Sequence, residues 1–72
     1  MIIRKIAVGP DYKSAMHYVV GQEVFGNCKI VEILHNSGEQ RFDIWVQKGK
    51  EIYLWKSFSN SVPTSIEYNI NF

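Results

Sequence analysis

The stretch FDIWVQKGKEIYLWKSF, Phe42 to Phe58, decides the fold. Two β-rich runs flank Lys48-Gly49-Lys50, which reads as the three-residue loop of a hairpin. With the loop there, Val46 faces Ile52, Trp45 faces Tyr53, Ile44 faces Leu54 and Asp43 faces Trp55. Gln47 then faces Glu51, and Phe42 faces Lys56. Side chains alternate along a strand, so Ile44, Val46, Ile52 and Leu54 share one apolar face. Trp45, Tyr53 and Trp55 share the other, where a sheet wetted on one side carries polar residues. Three large aromatics there need a reason: a second small core, a self-association patch or a stacking platform.

The rest of the chain repeats the theme of short strands. IIRKIAV, residues 2–8, alternates, with Ile2, Ile6 and Val8 beside Arg4 on one face and Ile3, Lys5 and Ala7 on the other. It reads as an edge strand guarded by its two cations. Gly9-Pro10 ends it, and Asp11 to Met16 has the chemistry of one helical turn. YVVGQEVFG breaks at Gly21-Gln22, a tight turn or bulge. CKIVEIL, residues 28–34, is a β-branched strand opening on Cys28, a small buried hydrophobe in this setting. HNSGEQ is a loop in which His35 reads as a solvated turn residue. SFSNSVPTS is a loop ended at Pro63, and IEYNINF puts Ile66, Tyr68, Ile70 and Phe72 on one face. The expectation is a single all-β domain over 1–72: a small antiparallel SH3-like barrel or strongly curled sheet with at most one short helical turn.

Composition narrows function more than motifs do. Cys28 is the only cysteine, so no disulfide forms within the chain. With no secretory core readable in MIIRKIAV, the expected location is the cytoplasm. That opening is also too short to span a membrane. A net charge of +1 argues against a duplex-DNA binder but leaves room for a small anion held by two or three cations. Metal sites need clustered ligands, and His17, His35 and Cys28 show no such spacing, so no metal or cofactor is expected. No nucleophile–base pattern or phosphate loop appears, and the chain reads as a non-enzyme.

The candidate ligand site is therefore the aromatic face. Trp45, Tyr53 and Trp55 would stack a planar base, worth about 1–3 kcal/mol per base. Lys48, Lys50 and Arg41, with Lys56 at the hairpin base, would meet phosphates. GPDYKSAMHY adds Tyr12, Lys13 and His17 as further pocket candidates. A core this small gains most from self-association, so the chain itself is an expected partner, beside a small nucleotide or a host protein.

VGQEVFG followed by KIVEI resembles the opening of an SH3-like barrel. As a whole the chain resembles the small β-rich accessory proteins that phages encode: very short, single-domain and without catalytic motifs. That resemblance implies one of two activities. One is anti-defence sequestration of a small cyclic nucleotide signal by an oligomer. The other is direct inhibition of a host protein through an aromatic patch or an edge strand. It assigns no role to any residue. Single-stranded nucleic-acid binding on the aromatic face ranks third, because it wants more positive charge than this chain carries.

Overall fold

The computed structural model describes residues 2–11 and 13–69 and is all β. Six strands follow one another: β1 (Ile2–Val8), β2 (Met16–Val19), β3 (Lys29–Asn36), β4 (Arg41–Lys48), β5 (Glu51–Ser59) and β6 (Pro63–Asn69). They make two antiparallel three-stranded sheets, ordered β2-β1-β6 and β3-β4-β5. The pair is strongly curled and does not close into a barrel. Among the described residues there is no helix.

The chain turns from one sheet into the other at residues 20–22. Val20 N donates to Arg4 O (2.9 Å) on one side, while Gly21 N donates to Ile30 O (2.8 Å) on the other. Gly21 sits at φ 96°, which a residue with a Cβ rarely adopts. Ile3 and Ile6 of β1 and Ile30, Ile33, Ile44 and Val46 of β3 and β4 fill the space between the sheets, each at most 4% exposed. Burying a side chain of this kind stabilises the fold by about 1.5–3 kcal/mol. Cys28 lies fully inside, as its β-branched neighbourhood implied.

Several expectations are corrected. β1 is the central strand of its sheet, not an edge, and Arg4 and Lys5 reach Glu67 of β6 at 2.9 and 3.6 Å. A register shift between Ile3 and Lys5 breaks the simple alternation, so Ile3 and Ile6 both point inward and Ile2 is 69% exposed. In place of a helical turn, Ser14 N donates to Asp11 Oδ1 (2.9 Å), an Asx turn, and the chain enters β2. His17 and Tyr18 are thus strand residues, with Tyr18 on the core. His35 belongs to β3 and stacks on Phe42 at 4.5 Å between ring centroids. Pro63 opens β6 instead of closing a loop. Ile66 packs on the core but Tyr68 is exposed, and the inward placement expected for Ile70 and Phe72 lies outside the described residues.

The hairpin is where sequence and structure agree on existence and differ on register. Lys48 pairs with Glu51, leaving the two-residue turn Gly49-Lys50 with Gly49 at φ 62°. Glycine at the first central position is the pattern of a type II′ turn, whose twist matches that of the strands. Shortening the loop by one residue moves every partner: Gln47 faces Ile52, Val46 faces Tyr53 and Trp45 faces Leu54. Since cross-strand partners share a face, this one-residue slip turns β5 over. Tyr53 now shares the core side with Val46, and Ile52 and Leu54 look out beside Trp45. A bulge between Ile44 and Trp45 then puts Lys56 opposite Ile44, Ser57 opposite Asp43 and Phe58 opposite Phe42.

Candidate interaction surfaces

The expected aromatic platform is divided between two sides of the sheet. Trp55 packs against the core between Tyr18 (centroids 5.7 Å, edge-on) and Phe25 (5.6 Å, tilted). Tyr53 lies over the hidden thiol, with its hydroxyl 3.2 Å from Cys28 Sγ. That hydrogen bond, then burial, pushes the Tyr53 phenol above its usual value of 10.0. The Tyr53 phenol is therefore neutral at physiological pH and not a source of charge. Trp45 stands on the opposite face beside Leu54 and Glu32, away from the core. Its indole Nε1 is buried without a hydrogen-bond partner among the described residues.

The cations are likewise dispersed. Lys48 and Lys50 are exposed at the β4–β5 tip, and Lys13 is exposed in the turn before β2. Arg41 is engaged: its Nε donates to Asp43 Oδ1 (2.8 Å), which also accepts from Ser57 Oγ (2.9 Å). Asp43 is only 5% exposed, and these two donors are what make its burial tolerable. Tyr12 lies outside the described residues.

Two concavities replace the single platform. The smaller, about 350 Å³, joins His17, Tyr18, Glu23, Trp55 and Lys56. Lys56 Nζ sits 4.9 Å from the Trp55 ring centroid, a cation–π contact. The sequence named Trp55 and His17 as site residues; the strand identity of residues 16–19 is what brings His17 to the tryptophan.

The larger, about 640 Å³, is an open apolar groove that sequence reading missed. Ile2 and Ile3 of β1 and Tyr68 of β6 form one wall, and Glu32 to His35 of β3 the other. Ile2 (69%), Leu34 (42%) and Tyr68 (43%) expose large apolar surface there. The groove runs along a bare backbone edge. Up to Ile30 the outer side of β3 is hydrogen-bonded, since Ile30 N donates to Gln22 O (2.9 Å) and Glu23 bridges to Lys29. Beyond it, β3 has β4 as its only strand neighbour among the described residues. The sole hint in the sequence was that a β-branched strand, VEILHN, carried no edge-guarding lysine or proline.

No family model, curated protein or solved structure matches the chain. Among the described residues, no three His, Cys, Asp or Glu side chains come together as a metal site would require. No helix there is long and apolar enough to cross a membrane.

Proposed function

We propose that this chain is a non-catalytic protein-interaction module that receives an extended segment of a partner protein along the free edge of β3. One observation carries the reading: the unpaired stretch of β3 after Ile30 lies beside the 640 Å³ apolar groove. Strand addition gains affinity from main-chain hydrogen bonds and specificity from pockets that take alternate side chains. Here the edge offers the hydrogen bonds, and Ile2, Leu34 and Tyr68 offer the apolar wall. Glu32 and His35 at the groove margin would select polar or charged neighbours in the incoming segment. The resemblance to phage accessory proteins supplies a setting: the partner would be a host protein blocked by occupancy.

The test is selection of extended peptides from a displayed library, followed by titration of the best binder against variants. Tyr68→Asp and Ile2→Asp are expected to weaken binding at least tenfold, and Trp55→Phe to leave it unchanged. Binders indifferent to Tyr68 and Ile2 overturn the reading.

A second reading, capture of a small anionic nucleotide, is favoured by the cleft in which Lys56 covers Trp55 near His17. A base would take the place of Lys56 on the ring and leave the ammonium to the phosphate. Titration with mono- and cyclic nucleotides would then quench Trp55 emission, and Lys56→Ala would abolish the response.

A further inference from the structure

We infer that a second copy of this chain covers the outward face of the β3-β4-β5 sheet, giving a two-fold dimer that shares Glu32 and Leu34 with the margin of the β3-edge groove. The register places four cross-strand rows on that face: Lys29, Gln47 and Ile52; Glu32, Trp45 and Leu54; Leu34, Asp43 and Ser57; Asn36, Arg41 and Ser59. The first two rows hold its apolar centre. Ile52 is 59% and Leu54 40% exposed, both on β5 beside the half-buried Trp45 of β4. Asp43, the carboxylate nearest the middle, is already neutralised by Arg41 and Ser57. No uncompensated charge therefore obstructs the centre, and the remaining charges stand at the β3 border, as in an interface with an apolar core and polar rim.

Those border charges fit a second copy. Lys29 and Glu32 occupy adjacent rows on one strand and have opposite sign. A two-fold axis running across the strands between these rows lays β3 over β3 in reverse. Lys29 of each copy then meets Glu32 of the other, Ile52 meets Leu54, and Trp45 covers Gln47. Isologous contact of this kind needs only one self-complementary patch. Near-neutral chains associate readily, and the net charge here is +1.

Size sets the strength. The axis lets only the two apolar rows and their flanks overlap, so three strands about 4.8 Å apart and about 17 Å long present a plane of roughly 250 Å². Side-chain relief leaves that below the ~600 Å² per partner at the low end of stable interfaces. The dimer is accordingly weak and reversible, with a dissociation constant of about 100 µM or above.

Sedimentation equilibrium over a concentration series tests this. The expected result is reversible conversion from the 8.4 kDa monomer to a species of twice that mass. Leu54→Glu, or Ile52→Glu where the first fails to fold, should raise the dissociation constant at least tenfold without changing the circular dichroism. Lys29→Glu should weaken association, and Lys29→Glu with Glu32→Lys should restore it. A chain that stays monomeric throughout overturns the proposal. So does a dimer insensitive to these changes.

Discussion

At the scale of single residues, side-chain contacts such as Arg4–Glu67 and Ser57–Asp43 tie neighbouring strands together. Glu67 accepts from Arg4 (2.9 Å) and lies 3.6 Å from Lys5, tying β6 to β1 beside the groove wall that Tyr68 forms. The Arg4 hydrogen bond holds the Glu67 carboxyl below its ordinary value of 4.5, with Lys5 contributing. A carboxylate whose folded value is depressed contributes stability that is fully present above the unfolded value and lost as pH falls through the folded one. The contribution of Glu67 is therefore present at neutral pH and fades below 4.5. Urea midpoints should show Glu67→Gln less stable than the parent at neutral pH, with the difference shrinking as the solution is acidified below that value. A constant difference across the range would assign the effect to something other than charge. The loss should be small, because both partners are largely in water.

The same scale shows why the cation candidates could not be placed from sequence. Arg41 looked available because nothing in RFDIW announces that Asp43, two residues on, would be buried and would need its guanidinium. His17 looked like a loop residue because four residues of strand, MHYV, are too few to show a period. Cys28 was legible, since a lone thiol heading a β-branched run has little to do except pack.

At the scale of elements, one turn decides which face is which. The β4–β5 hairpin was readable from two β-rich runs around a glycine, and the structure places it at Arg41–Ser59. Its register was not, because Lys48-Gly49-Lys50 serves a two-residue or a three-residue loop equally well. A slip of one residue exchanges Ile52 and Leu54 for Tyr53 and Trp55 on the core side. Of the two aromatics, Trp55 packs against the core, while Tyr53 covers Cys28 at its margin and stays 37% exposed. Thus the puzzle of aromatics on a wet face dissolves for Trp55, leaves Tyr53 at the core's margin, and stays for Trp45, with Ile52 and Leu54 added. β1 failed for a related reason. Its register shifts, between Ile3 and Lys5 and between Ala7 and Val8, have no sequence signature, so strict alternation set Ile2 beside Ile6 and put Ile3 on the other face.

The turn can be tested directly. Gly49 at φ 62° has open space where a Cβ would go, so a substitution there meets backbone strain and not a clash. Gly49→Ala should cost about 1–2 kcal/mol, the penalty of the left-handed region for a residue with a Cβ. Gly38→Ala is the control: its φ is not positive, and its Cβ would make an ordinary 3.6 Å contact with Asn36 Oδ1. Equal unfolding midpoints for the two variants would contradict the two-residue turn and with it the assignment of faces.

At the scale of the whole molecule, the two sheets bury one compact core and leave two apolar surfaces bare. One is the groove between the β3 edge and the Ile2–Tyr68 wall; the other is the outward face around Trp45. They meet at Glu32 and Leu34, which line the first and lie on the second. The all-β class was visible from short alternating runs and turn residues. The bare edge was not, because which strands neighbour one another depends on long-range pairing that local patterns do not report. A chain of 72 residues has little core with which to stabilise itself, and exposed edges and faces of this extent are where the partners proposed above would add stability or affinity.

Amide-resolved hydrogen exchange of residues 31–36, free and with a selected extended peptide, tests the central claim that the β3 edge is open and receptive. At concentrations where the chain is monomeric, the outward amides of this stretch should exchange rapidly while those facing β4 stay protected. Saturating peptide should then slow the outward set. Outward amides that are already protected in the free monomer, or that keep exchanging rapidly with peptide bound, would contradict the account.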